Sequence, residues 1–246
     1  MGGRGTLSGF VSAAKARFEA LRDKYGSAEN AMLLGSMQDA QDYVTLQKQV
    51  YTDATKKGDF KTAYETQPIT ETTLNGWNAT PTKDQRDALA TYAANGYKAM
   101  NDYLRNGGSL QGVNPSEVNE LQSFLSSSRT KETLYLKRGI SKRSLTAMLG
   151  AGWENNLKAL TGRQMVDKGF MSTSPFSSGS YGKNAVLYIK APKGTAGAYI
   201  KDFVGSKIKT EQEFLLARNT KMTVSRAYTT KNKYGDTIPI IEVTIT

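Results

Sequence analysis

The sequence contains neither cysteine nor histidine. Without cysteine there is no disulfide framework and no thiolate chemistry. Without histidine there is no imidazole base or ligand, which excludes Ser-His-Asp triads, zinc-peptidase motifs and histidine-based nucleases. No apolar run approaches the roughly 20 residues of a membrane-spanning helix. The N-terminus lacks the apolar core of a secretory signal, and no internal repeat or low-complexity tract is present. Met1-Gly2-Gly3-Arg4-Gly5-Thr6 fits a short acylation pattern, but such patterns match by chance and the stretch reads as a Gly-rich start. Any catalysis must therefore rest on carboxylates, Arg, Lys, Tyr, Ser or Thr.

Acidic residues are scarce in the second half. Residues 1–128 hold 13 basic and 14 acidic side chains, whereas residues 129–246 hold 20 basic and 8 acidic ones, a net +12. Such a half attracts polyanions: nucleic acid, a phosphorylated cofactor, an acidic protein face or a membrane surface. A solvated lysine surface is the plain alternative. The 246 residues suit one or two domains, and 38% apolar residues with 13 Tyr, 8 Phe and 2 Trp suffice for a core.

The first half reads as helix. Apolar residues recur at helical spacing over Leu7–Tyr25 and Ala28–Lys57. Residues 58–82 read as loop with short pieces. Thr82 and Gln85 suit a capping box that opens a helix running to Asn106-Gly107-Gly108. Pro115 opens another, ended by Ser126-Ser127-Ser128. From Thr133 the texture turns to short β-like runs: Thr133–Ile140, Val166–Thr173, Ala185–Ala191, Glu213–Ala217, Met222–Tyr228 and Ile238–Thr246, with helical turns over Leu145–Ala159 and a small-residue stretch over Gly194–Ile200. Few helices interleave with these strands. The class expected is α+β, with N-terminal helices followed by a mainly antiparallel two-sheet β core.

Three features follow one another in the second half. A strand ends in Arg138-Gly139, a second in Ser172-Thr173-Ser174, and Glu211-Gln212-Glu213 enters a third. This order resembles the R-S-E clade of mono-ADP-ribosyltransferases, the class of clostridial C2/C3-like toxins and related phage enzymes. Upstream, the stretch from Tyr92 to Arg105, with Gly96-Tyr97 and Asn101-Asp102-Tyr103-Leu104-Arg105, is similar to the helix of toxin-type members whose Asn and Arg touch NAD. The resemblance covers roughly residues 70–246. It divides the chain into a helical segment of unknown role, 1–65, and a catalytic domain, 66–246.

The resemblance implies NAD as substrate, no metal, and transfer of ADP-ribose to the arginine of an acceptor protein. It implies catalytic roles for Arg138, Ser172, Glu211 and Glu213. It implies NAD contacts from Asn101, Arg105, Arg138, Gly139, Ser172, Thr173, Ser174, Glu213, an aromatic at Tyr181 and a phosphate contact at Lys183. It implies acceptor recognition by Phe203 and Glu211. The chemistry agrees. Breaking the nicotinamide–ribose bond leaves an oxocarbenium-like sugar, for which glycoside chemistry uses carboxylates. Glu213 suits that cation, and Glu211 shares its face if the segment is extended. An arginine acceptor is always charged, so a carboxylate beside it serves both binding and activation. Asn101 and Arg105, four residues apart, share one helix face. The three lysines of 201–210 suit an acidic or nucleic-acid-associated target. The expected form is a monomer acting in the cytoplasm of the cell it modifies, phage-encoded or virion-delivered. An NAD glycohydrolase, a transferase with a nucleic-acid acceptor, and a non-enzymatic basic phage protein are the alternatives.

Overall fold

The computed structural model describes residues 7–107, 111–176, 184–204, 212–232 and 234–246, with side chains from residue 13 onward. The chain divides into two units, Met1–Pro68 and Ile69–Thr246.

The first unit is helical: α1 (Leu7–Tyr25), α2 (Ala28–Leu34), α3 (Met37–Lys57) and α4 (Phe60–Thr66). The run expected as one helix from Ala28 to Lys57 is two. Gly35 ends α2, and Ser36 takes an extended conformation in which its hydroxyl accepts from the Asp39 amide at 3.0 Å. A serine cap of this kind starts a new helix in a new direction. Phe18, Tyr43 and Val50 form the centre of the unit, with the Phe18 and Tyr43 rings edge-on at 5.2 Å.

The second unit carries α5 (Glu71–Asn75), α6 (Lys83–Thr91), α7 (Tyr97–Asn106), α8 (Pro115–Ser127) and α9 (Lys142–Leu149). Its strands are β1 (Leu134–Ile140), β2 (Gln164–Asp167), β3 (Met171–Thr173), β4 (Ala185–Ala191), β5 (Gly197–Tyr199), β6 (Phe214–Leu216), β7 (Thr220–Lys231) and β8 (Thr237–Ile245). The capping box forms: Thr82 accepts from the Gln85 amide at 3.2 Å, and the Gln85 side chain accepts from the Thr82 amide at 3.1 Å. The helix it opens is interrupted before Asn106. Residues Tyr92–Gly96 make one wide π-type turn with Asn95 at φ 110. Gly96 sits so close that a Cβ there would lie 2.5 Å from the Thr91 carbonyl oxygen. Helical spacing on both sides of this turn conceals it in the sequence.

One sheet has the order β1-β4-β8-β7-β2, and the other β3-β6-β5. Only the β4–β8 pair is parallel among the described strand pairs; the rest are antiparallel. The α+β class with two mainly antiparallel sheets is as the sequence texture indicates. The run expected as one strand, Val166–Thr173, is two. β2 pairs with β7 in the larger sheet and β3 with β6 in the smaller, so the chain changes sheets across Lys168, Gly169 and Phe170. The stretch Leu145–Ala159 is the end of α9 followed by 3-10 turns at Trp153–Asn155 and Leu157–Leu160, because Gly150 and Gly152, at φ 85 and 76, stop the helix.

Alternation along β6 divides the core. Phe214 and Leu216 join Leu136, Leu187, Ile189, Ile241 and Trp153 between the sheets. Leu215 faces the other way, into a second cluster with Leu89, Tyr92, Met100, Leu121 and Phe124 from α6, α7 and α8. Among the described residues no helix is long and apolar enough to cross a membrane.

Leu187 lies on β4 between β1 and β8 and is fully buried. Leu187→Ala is expected to cost about 2–5 kcal/mol through lost transfer energy and the cavity left behind. Denaturant unfolding checks this by a lower midpoint at unchanged slope.

Candidate active site

The switch between sheets builds the site from below. Asp167, at the end of β2, is 3% exposed. Its oxygens accept from Arg105 Nε at 2.7 Å and Nη2 at 2.9 Å, and from the Gly169 amide at 3.0 Å. Arg105 Nη2 also donates to the Phe170 carbonyl at 3.0 Å. Asn101 Oδ1 accepts from the Phe170 amide at 2.7 Å, and its Nδ2 donates to the Tyr92 hydroxyl at 3.3 Å. The two polar residues expected one turn apart on α7 therefore do share a face, and their described hydrogen bonds grip the turn. Gly169 permits the fit: a Cβ there would lie 2.5 Å from Asn101 Oδ1 and 2.9 Å from Arg105 Nε.

Above the turn, β3 presents Ser172 within 3.3 Å of the Tyr92 hydroxyl. Ser174 exchanges two backbone hydrogen bonds with Lys137 of β1, at 2.9 and 2.8 Å. This bridge brings the ends of the two sheets together. It places Arg138 Nη1 2.9 Å from the Ser172 carbonyl, to which it donates. Thr173 Oγ1 donates to the Phe214 carbonyl at 2.6 Å and fastens β3 to β6. The Ser174 hydroxyl closes a local turn with Phe176. Glu213 stands just before β6, its carbonyl accepting from the Ile200 amide at 3.0 Å.

These elements border one cleft of about 1150 Å³, at the upper end of the range for small-molecule sites. Arg138, Gly139, Ser172, Thr173, Ser174, Glu213, Asn101 and Arg105 all line it. Cationic side chains outnumber carboxylates along its walls: Lys98, Lys137, Arg143 and Lys168 join Arg105 and Arg138, against Asp102, Asp167 and Glu213. Burial disfavours the Arg138 cation; the charge of Asp167 opposes that shift, Arg105 adds to it, and Tyr92 and Glu213 oppose it. Arg138 Nε is buried and makes no hydrogen bond among the described residues. A buried guanidinium with an unused donor suits an anionic guest. Among the described residues no group of three or more carboxylates gathers as a metal site.

Phe203 stands outside this cleft. It is half-buried, and its ring meets Phe124 edge-on at 5.5 Å. Residues Tyr181, Lys183 and Glu211 lie outside the described residues. Two residues of the site were not among those singled out from the sequence. Asp167 had one signal, a carboxylate inside a strand-like run before Gly-Phe, where burial demands a cation. Tyr92 opens the stretch that resembles the toxin-type helix, but the sequence attaches no role to it.

Tyr92 is 1% exposed. Burial first, then the charge of Glu213, push its hydroxyl up from 10 to about 12. The raised value means that the stability from the neutral phenol is complete below pH 10 and is lost as pH rises toward 12. At about 1.4 kcal/mol per unit the loss is roughly 3 kcal/mol at most. Tyr92→Phe removes this phenol, so unfolding free energies measured at pH 9 and pH 12 should differ less for the variant than for the parent.

The second unit is recognisable in other proteins. The family model for the ADP-ribosyltransferase exoenzyme matches residues 69–245. Over 155 residues the chain is 31% identical to the NAD(+)--arginine ADP-ribosyltransferase EFV of Enterococcus faecalis, covering 60% of this chain and 30% of that protein. The match thus spans less than a third of that curated relative. Among solved structures, the C3larvin toxin, an ADP-ribosyltransferase from Paenibacillus larvae, is 26% identical with a TM-score of 0.55, over 72% of this chain and 94% of the toxin. C3stau2 from S. aureus, solved with NAD, has the same fold at 22% identity and a TM-score of 0.59, over 74% and 99% of the two chains. A family model that spans residues 69–245 takes in every described element of the cleft, and the chain belongs to the ADP-ribosyltransferase exoenzyme family.

Proposed function

We propose that the protein is an NAD-dependent mono-ADP-ribosyltransferase that moves ADP-ribose from NAD to an arginine of an acceptor protein and releases nicotinamide. The observation that carries this reading is the convergence of Arg138, Ser172 and Glu213, from two strands and the entry to a third, on one basic cleft. The cationic walls suit the diphosphate of NAD. Arg138 serves it with a planar, permanently charged fork, and the charge of Arg105 adds to the attraction. Asn101 and Arg105 act chiefly by holding the turn that carries Ser172. Gly139, Thr173 and Ser174 shape the floor, and Tyr92 supports Ser172.

In the reaction the bond between the ribose C1′ and the nicotinamide nitrogen breaks, and its electron pair leaves with nicotinamide. The positive charge that develops on the sugar is met by the Glu213 carboxylate. A pre-set opposite charge at the point where charge develops is a large catalytic term. A guanidinium nitrogen of the acceptor then bonds to C1′ and gives up one proton. Glu211 is assigned to receive that proton and to orient the acceptor. Two features support arginine as acceptor: the carboxylate at position 211, and the arginine specificity in the name of the Enterococcus faecalis relative. On the same reading Tyr181 stacks on nicotinamide and Lys183 meets a phosphate. The 66–246 catalytic domain acts on NAD without metal.

The test is incubation of the protein with NAD and agmatine, a small guanidinium acceptor, with mass spectrometry of the products. The parent is expected to form ADP-ribosyl-agmatine and nicotinamide. Glu213→Gln should depress both by about 100-fold or more. Glu211→Gln should abolish the adduct while nicotinamide and free ADP-ribose still form. A parent that leaves NAD intact overturns the assignment.

A further inference from the structure

The segment that leaves β5 and returns as β6 is fastened at both ends to one short helix. On the outgoing side, Lys201 Nζ donates to both oxygens of Glu71 on α5, at 2.7 and 2.8 Å. The next residue, Asp202, accepts from Asn75 Nδ2 at the other end of α5, at 2.6 Å. On the returning side, Gln212 Nε2 donates to Glu71 Oε1 at 2.9 Å. One carboxylate thus bridges residues 201 and 212. Between the two ends, the Ile200 amide donates to the Glu213 carbonyl.

The placement of Gln212 matters because it directly precedes Glu213. Backbone sites flanking Glu213 are held from two sides. The Ile200 amide holds the Glu213 carbonyl, and the Thr173 hydroxyl holds the Phe214 carbonyl at 2.6 Å. The Glu71 contact adds a hold on the side chain before it. Gln212 lines the same cleft as Glu213. Its amide, held by Glu71, restricts rotation of the chain where it enters β6. A partly exposed ion pair of this kind contributes little to global stability. Its value is positional.

We propose that Glu71 is a positioning residue of the active site, tying Lys201 to Gln212 so that Glu213 is held at the cleft. This inference rests on the functional reading above for its catalytic consequence. The clamp itself is independent of that reading.

Two measurements separate the clamp from the catalysis. In hydrogen exchange, Glu71→Ala should speed exchange in peptides spanning 200–204 and 212–216, and leave those of β1 and β4 at the parental rate. In steady-state kinetics with NAD and agmatine, the same variant should lose about tenfold in kcat, since small misplacements of a reacting group are costly. KM for NAD should stay within about twofold, because the diphosphate-binding side chains are elsewhere. The exchanged pair Glu71→Lys with Lys201→Glu should recover most of the lost kcat, because the Gln212 amide can turn over and present its oxygen to the new ammonium. Unchanged exchange in Glu71→Ala overturns the clamp. Faster exchange with parental kcat overturns its catalytic role. So does a kcat loss that the exchanged pair leaves uncorrected, or one matched by an equal loss of NAD binding and of thermal stability, which marks a merely structural contact. A parent that does not turn over NAD sinks the functional reading together with the catalytic role of Glu71, while the exchange result still decides the clamp.

Discussion

A buried carboxylate at the crossing between two sheets organises the catalytic unit. Asp167 ends a strand of the larger sheet, and three residues later Met171 begins a strand of the smaller one. An unpartnered ionised carboxylate at that depth would be strongly destabilising. Arg105 supplies both charge and a two-pronged fit, and the Gly169 amide supplies a third donor. Asn101 holds the far side of the same turn through the Phe170 amide. The position of Ser172 follows from these bonds, because it lies only two residues beyond Phe170. The conformation of Arg138 follows in turn, because its guanidinium donates to the Ser172 carbonyl.

The electrostatics of the cleft grow from the same arrangement. Burial works against the Arg138 cation, and the charges of Asp167 and Glu213 work to keep it. An anionic guest would relieve that burial cost more fully than the protein does. The neighbouring Tyr92 hydroxyl is kept neutral to about pH 12 by burial and by Glu213, so at ordinary pH it acts as a hydrogen-bonding group beside Ser172. Glu213 brings a carboxylate beside the Arg138 cation and the neutral hydroxyls of Tyr92 and Ser172. On the proposed reading, that distribution suits a reaction in which the anionic diphosphate is bound, neutral nicotinamide leaves and a cationic sugar is formed.

The larger and smaller sheets contribute different parts. The larger one provides Arg138 and, through β2, the Asp167 anchor. The smaller provides Ser172 and, just before β6, Glu213. The Lys137–Ser174 backbone bridge joins the two at the cleft. On the other side of the small sheet, α5 holds the segment entering β6 through Glu71 and Asn75. The cleft is thus held from beneath by α7 and from beside by α5, two helices whose polar residues are spent mainly on the protein itself.

Several elements were legible in the sequence because their signals are local. The capping box at Thr82 and Gln85 depends on residues three apart. β1 and β4 show as apolar runs because their inward faces are wholly buried. The ordered trio of Arg138, Ser172 and Glu213 is readable because each lies in or beside a short β-like run. What escaped were changes of direction that leave the spacing of apolar residues intact: the break at Gly35-Ser36, the wide turn at Tyr92–Gly96, and the crossing at Gly169. Periodicity reports which residues are buried; it carries no information on whether both halves of a run face the same partner. Phe203, the aromatic assigned to acceptor recognition, is half-buried, with its ring edge-on to Phe124. The sequence by itself determined the α+β class, the basic second half and the exclusion of thiol and imidazole chemistry, and it named the candidate carboxylates and guanidinium of the site. Only the tertiary structure decided that Asp167, Tyr92 and Glu71 belong with them, because each meets a partner 62 to 141 residues away in the chain.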